Sequence, residues 1–301
     1  MTLCAVIPAT DARDTSDRCI RAVREAEHPP EEIIVVNRPR RLGPAAARNR
    51  GARQATADVL VFVDSDIEVH ADAFVKIRKA FAEDPGLAGV FGSYDDNPAS
   101  GGLVSGFRNL LHHYVHQSAA GQASTFWAGL GSIRRDVFLR AGGFDEKRFL
   151  APSVEDIELG MRLVSSGNRI LLDPTILGQH HKRWTLGSMI RTDLLRRGVP
   201  WVQLLLQRDV ASTTLNLGWR HRASAAASAG CLVGVLTRKP KVAAASLAVV
   251  ICLNTEFYAL LYKKRGLRQT AAGPPLHVLH HLVSVVAVPI GIFQHLRRKS
   301  P

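Results

Sequence analysis

The segment VLVFVDSDIEV places Asp64 and Asp66 one residue apart at the end of an apolar run. Two carboxylates so close repel one another, and a divalent cation relieves the repulsion. Mg²⁺ or Mn²⁺ in such a place is held by one or two carboxylates, with phosphate oxygens completing its shell. The same spacing also suits a polar turn after a strand, with no metal at all. A second acidic pair, Glu155 and Asp156, opens the helical pattern SVEDIE. One reading is a general base, fixed at a helix end, that takes a proton from an acceptor hydroxyl. The other is structural: Ser153 caps the helix, and carboxylates in its first turn favour the dipole.

Two further segments carry candidate chemistry. In GPAAARNRGARQA, Gly43 and Pro44 open a helix, and Arg48 lies about one turn inside it. There it reaches a phosphate or a base, or it is a solvated arginine on an amphipathic face. In QHHKRW, His180 and His181 stand beside Lys182, Arg183 and Trp184. The histidines suit a metal or a diphosphate, and equally a surface cluster. A phosphatase of the haloacid-dehalogenase kind also ends a strand in D-x-D, but it wants Thr or Val where this chain has Glu68, and its motif follows the first strand.

These side chains need elements to hold them. Apolar runs at 3–8, 32–37, 59–64 and 87–92 read as strands. Helical patterns at 14–26, 43–56 and 71–83 lie between them. Such alternation predicts a mostly parallel sheet with helices on its faces, and a ligand crevice at the carboxyl ends of the strands. Thr10, Asn37 and Asp64 all fall at those ends. Residues 95–102 form a loop, and 103–120 read as a helix bearing His112, His113 and His116. Residues 124–133 and 169–173 read as strands, and a helix runs from Ser153 to about Gly167.

The chain has 301 residues, enough for one large domain or two modest ones, each with its own core. Its four cysteines are scattered, which suggests neither a zinc ribbon nor a disulfide framework and fits a reducing compartment. The N-terminus lacks the basic start and apolar core of a secretory signal. The net charge of +13 is unevenly spread: residues 1–177 hold 21 Lys and Arg against 23 Asp and Glu, whereas 178–301 hold 18 against 3. In that second part the basic residues flank long apolar runs, which fits anionic lipid better than nucleic acid. Segments 242–262 and 276–296, each 21 residues, meet the ~20 a membrane span requires. Segment 223–236 is short for a span. Trp184, Trp201 and Trp219 sit where an interface would hold them.

Taken in order, VIPAT, EIIVVN, GPAAARNRGA, VFVDSD, WAGLGSIRRDVFLRAGGFDE, VEDIELGMRL and HHKRW resemble the family-two glycosyltransferases of GT-A fold. The likeness covers roughly residues 3–200, and the C-terminal apolar segments look like those of membrane-associated members. The resemblance implies an α/β GT-A catalytic domain over 1–210, Rossmann-like with helices on both faces, and a helical membrane-associated region over 211–301. It also implies a nucleoside diphosphate sugar donor and Mg²⁺ or Mn²⁺. Asp64 and Asp66 match the D-x-D pair, Asp156 the catalytic base, and Glu155 a supporting carboxylate. Pro8, Thr10, Asn37, Arg48, Asp64, Ser65, Arg183 and Trp184 are the expected donor-binding residues. Asp64, Asp66 and His180, with His181 competing for the histidine role, are the expected metal ligands. The implied reaction is an inverting transfer to a lipid-linked or glycan acceptor at a membrane, with the catalytic domain cytoplasmic and no nucleic-acid partner. One departure stands out: the family often ends its second strand on acidic residues that contact the base, and this chain has Asn37-Arg38-Pro39-Arg40. A non-catalytic, membrane-anchored nucleotide binder on the same scaffold is the alternative this leaves.

Overall fold

The computed structural model describes residues 1–10, 15–208 and 218–299. The chain divides into two compact units: Met1–Ala99 with His116–Lys182, and Ser100–Val115 with Arg183–Pro301. The second unit thus joins the segment 100–115 to the chain beyond residue 182.

The first unit is an eight-stranded sheet. Its elements in chain order are β1 (Leu3–Pro8), α1 (Ser16–Glu25), β2 (Glu32–Val36), α2 (Pro44–Gln54), β3 (Val59–Val63), β4 (Ile67–Val69), α3 (Ala73–Glu83) and β5 (Leu87–Tyr94). After the helix α4 (Leu103–Gln117) come β6 (Gly121–Ala123), β7 (Leu130–Arg134), α5 (Arg135–Arg140), α6 (Glu155–Ser165) and β8 (Arg169–His180). The strand order is β2-β1-β3-β7-β5-β8-β4, with β6 on β8. The pairs β1–β2, β1–β3 and β5–β8 are parallel. The sheet is mixed rather than mostly parallel, because β7 lies antiparallel between β3 and β5. Short β4 and β6 also pair antiparallel with β8.

β3 is buried along its whole length, which explains its unbroken apolar run. Leu3, Ala5, Ile7, Val59, Val61 and Val63 share a core with Val23 of α1 and Phe74, Ile77 and Phe81 of α3. Alternation sends Val6 and Phe62 to the opposite face. There Gly51 of α2 sits so near β1 that an added Cβ would stand 2.4 Å from Val6 Cγ1. Phe62, Phe138 and Phe144 form a ring triangle with centroids 5.2–5.4 Å apart. Each such side chain contributes ~1.5–3 kcal/mol by leaving water. The two cores fix where the strands end, and the site is built at those ends.

The second unit is helical. Besides most of α4 it holds α7 (Leu186–Arg191), a π-helical turn (Thr192–Gly198), α8 (Val199–Arg208), α9 (Trp219–Leu236), α10 (Pro240–Leu253) and α11 (Thr255–Lys299). α9 and α10 form a hairpin with a small-residue contact: Gly230 faces Ser246, and Gly234 faces Ala243. The expected span 242–262 is not one helix. It breaks at Asn254, whose amide donates to Ser224 Oγ (2.9 Å) and to Val250 O (2.8 Å). That leaves α10 with 14 residues, fewer than the ~20 a crossing needs. The expected span 276–296 lies wholly within α11. Thr255–Arg297 is long and apolar enough to cross a membrane. Gly266, at φ 73°, bends it near its start, where a residue with a Cβ would be strained.

Candidate active site

All features of this site lie in the first unit. β3 ends at Val63 and delivers Asp64 into a tight turn, closed by Ile67 N–H donating to Asp64 O (2.9 Å). Ser65 and Asp66 occupy that turn, and short β4 follows it. Arg48, one turn into α2, is buried and points to the same end of the sheet. Its Nη2 donates to Asp64 Oδ1 (2.6 Å) and its Nη1 to Glu155 Oε1 (2.9 Å). One guanidinium thus joins residues 48, 64 and 155 from three elements. Burial disfavours this cation, and the Asp64 and Glu155 carboxylates more than offset that, so Arg48 stays charged.

Asp156 is held from the other side. Its Oδ2 accepts from Ala128 N (3.1 Å) and its Oδ1 from Ile157 N (2.8 Å). The 125–129 segment also touches Asp64, whose N–H donates to Gly129 O (2.9 Å). Helix α6 reaches that segment only because residue 160 is glycine; a Cβ there would stand 2.2 Å from Phe126 N. Glu155 Oε2 accepts from Ser153 N (2.8 Å), so Glu155 rather than Ser153 closes the helix start. Burial, reinforced by the neighbouring Glu155 charge, pushes the Asp156 carboxyl up to about 6, with Arg48 acting against the rise. Burial also raises Asp64, in part against Arg48. Burial pushes Asp66 up as well, but His180, Lys182 and a backbone hydrogen bond together bring its carboxyl below the usual value.

The end of β8 completes the site. His180 Nε2 faces Asp66 Oδ2 at 3.5 Å, and its ring stacks on Tyr94 with centroids 4.1 Å apart. His181, one residue on, turns to Glu68 instead, with Nε2 2.9 Å from Oε2. His181 lies just past the end of β8 and donates its backbone N–H to Asp66 O (2.9 Å), while it is the His180 ring that faces the Asp66 carboxylate. Trp127 stands edge-on to Tyr94 at 5.0 Å and to His116 at 5.3 Å, forming an aromatic wall. Sequence reasoning passed over Tyr94, Trp127 and His116 as site residues. The available signal was Trp127 in WAGLG, within a segment already judged informative; nothing near Tyr94 in the chain marks it.

The remaining expected residues are placed as follows. Thr10 lies past β1 and donates from Oγ1 to Leu42 O (2.6 Å). Pro8, at the end of β1, is half-buried, and Asn37, just past β2, is exposed. Arg183 and Trp184 belong to the second unit. There Trp184 is a core residue: its backbone N–H donates to Ser105 Oγ (2.8 Å), and Arg108 covers its ring at 5.7 Å.

A divalent cation can be tested against these donors. Among the described residues no three His, Cys, Asp or Glu side chains already form a closed cation site. Asp66 and His180 offer an oxygen and a nitrogen at one point, and Asp64 keeps a second carboxylate oxygen clear of its Arg48 bond. An open set of this kind suits Mg²⁺ or Mn²⁺, which take much of their shell from phosphate and water.

A mixed sheet of this strand order, flanked by helices, has the GT-A fold. Among solved structures the chain is similar to a mannosyltransferase from Pyrobaculum calidifontis in complex with GDP-Man and Mn²⁺. That match has a TM-score of 0.54 at 15% identity and covers 99% of this chain and 88% of that one. It is also similar to GalNAc-T7 with UDP, GalNAc and Mn²⁺, with a TM-score of 0.51 at 16% identity, covering 75% of this chain and 51% of that one. Residues 11–141 match the family described as Glycosyl transferase family 2.

Two curated relatives agree. A pre-mycofactocin glycosyltransferase of Mycobacterium tuberculosis is 30% identical over 175 residues, covering 53% of this chain and 34% of that protein. The O-antigen biosynthesis protein RfbC of Myxococcus xanthus is 28% identical over 153 residues, covering 46% and 12%. The chain thus spans about a third or less of the length of these relatives.

Proposed function

We propose that this chain transfers a sugar from a nucleoside diphosphate sugar to an acceptor hydroxyl or phosphate oxygen, with inversion at the anomeric carbon. The observation that carries the reading is the Arg48 bridge: it ties the D-x-D carboxylate to the acidic helix start, so donor and acceptor chemistry share one rim. In the proposed step the acceptor oxygen attacks the anomeric carbon as the bond to the diphosphate oxygen breaks. For a hydroxyl acceptor, Asp156 takes its proton. Thr10, Asn37 and Ser65 border the nucleotide, with Arg183 and Trp184 assigned to the donor on the family resemblance alone. Asp64, Asp66 and His180 would hold Mg²⁺ or Mn²⁺, which when bound neutralises charge developing on the leaving diphosphate. The ligands in the two similar structures, GDP-Man with Mn²⁺ and UDP with Mn²⁺, support this class of donor.

The acceptor is lipid-linked in this reading. The basic, apolar character of residues 178–301 and the long helix in Thr255–Arg297 support work at a membrane surface, with the catalytic unit on the cytoplasmic side. Membranes carrying the chain, incubated with a panel of nucleotide sugars with and without Mn²⁺ or Mg²⁺, test this. Released nucleotide and labelled lipid extract should rise together, fall on chelation, and drop ~10²-fold or more in Asp66→Asn. Nucleotide release with no labelled lipid would exclude the lipid acceptor. No release from any donor would favour the non-catalytic binder that the exposed Asn37 keeps as the alternative.

A further inference from the structure

We infer that the second unit holds a transition-metal site, of zinc type, built by His221 of α9 and His277, His280 and His281 of α11. The four imidazoles are crowded together: centroids lie 4.6 Å apart for His277–His281, 4.8 Å for His221–His281, 5.5 Å for His280–His281 and 6.1 Å for His221–His280. Imidazoles bound to one tetrahedral zinc through Zn–N bonds of ~2.0–2.1 Å have centroids about 5 Å apart. A soft-to-borderline nitrogen set of this kind selects zinc or its neighbours over Mg²⁺ or Ca²⁺.

Two rings already have one nitrogen occupied, leaving the other for a ligand. His280 Nδ1 meets Asp193 Oδ2 at 2.9 Å, and that carboxylate is fixed by Arg108 at 2.9 Å. His277 Nδ1 meets Tyr258 Oη at 3.0 Å. A carboxylate or hydroxyl on the far nitrogen is how proteins orient a metal-binding histidine. Asp193 lies in the π-helical turn, a local widening that recurs at functional sites. His281 is the decisive residue. It is 1% exposed, and neither ring nitrogen has a hydrogen-bond partner. A buried polar atom left so costs ~1–3 kcal/mol, and ionisable groups in an apolar segment are expensive to keep. A metal–nitrogen bond offsets that cost.

As placed, no three of the rings hold an ion: His277 and His281 are stacked at 20°, and the His277 and His280 centroids lie 6.3 Å apart. The site requires the His281 ring to turn out of the stack, a movement that breaks no hydrogen bond. His221, half-buried at the edge, gives the ion an entry path.

The test uses the purified full chain in detergent, with Zn²⁺ for dialysis and metal analysis and Co²⁺ for its visible spectrum. The wild type should retain one more zinc than His281→Leu or His221→Ala and give tetrahedral cobalt bands that both variants lack. His281→Leu puts an apolar side chain in place of a ring that makes no hydrogen bond, and thermal unfolding of each variant, measured alongside, separates loss of metal from loss of fold. Tyr258→Phe should keep the site but weaken zinc ~10–100-fold. Any ion held by Asp66 and His180 contributes equally to all these proteins and cancels in the difference. Equal zinc content and equal cobalt spectra in the wild type and both histidine variants would overturn the inference.

Discussion

Asp156 carries two opposed consequences of one burial. Its folded-state pKa of about 6 exceeds the ordinary carboxylate value of 3.8. The folded chain therefore binds more protons than the unfolded chain between those values, and its stability falls as pH rises through that window. Above about pH 6 the deficit is constant. Asp156→Asn should thus raise stability by about 1–2 kcal/mol at pH 7, the amide giving back part of the gain by losing one acceptor. The same change should lower sugar transfer ~10²–10⁴-fold. Wild-type kcat/KM should climb with pH to a plateau above about 6 as the carboxylate ionises. Thermal unfolding against pH, beside initial rates, checks both; a variant less stable than wild type at pH 7 contradicts the strained-carboxylate account.

Among the elements, α6 matters most, because it alone brings Glu155 and Asp156 to the strand ends. Its approach is set by Gly160, against which Thr125 and Phe126 pack backbone-close. Gly160→Ala puts a methyl group into backbone rather than into a flexible side chain. The expected cost is ~1–3 kcal/mol of stability, together with lost transfer, since Ala128 moves away from the Asp156 carboxylate. Gly142→Ala on the nearby loop is a useful contrast: the space there is open, and only its φ of 79° resists. Denaturant midpoints of the two variants separate steric from conformational cost, and equal activity in Gly160→Ala and wild type would deny α6 its positioning role.

Over the whole molecule, charge and apolar length act on different scales. Surface charge is screened within ~8–10 Å at physiological salt, whereas burial of apolar helix in lipid is not. If Thr255–Arg297 inserts, the chain should stay with membranes after washing in about 1 M salt. Release by salt alone would mean that the 18 Lys and Arg of residues 178–301 hold it at the surface without insertion. Fractionation followed by immunodetection distinguishes the two.

The sequence by itself determined β1, β3 and β5, because a strand buried on both faces must be apolar throughout and its polar neighbours then mark the strand ends. Asp64 and Asp66 were legible for that reason, and Glu155 and Asp156 because they open the helical pattern SVEDIE. It did not show β4 or the antiparallel place of β7, since three residues carry no readable period and pairing direction leaves no mark on a strand's own residues. Nor did it separate His180, the last residue of β8, from His181 just beyond the strand. Tertiary structure alone made Arg48 the bridge between two carboxylates 91 residues apart in the chain, put Tyr94 and Trp127 beside His180, and split the apolar stretch 242–262 at Asn254. The physical reason is common to all of these: periodicity and composition report which surface a residue hides, whereas the partner it meets there is decided by how distant segments pack.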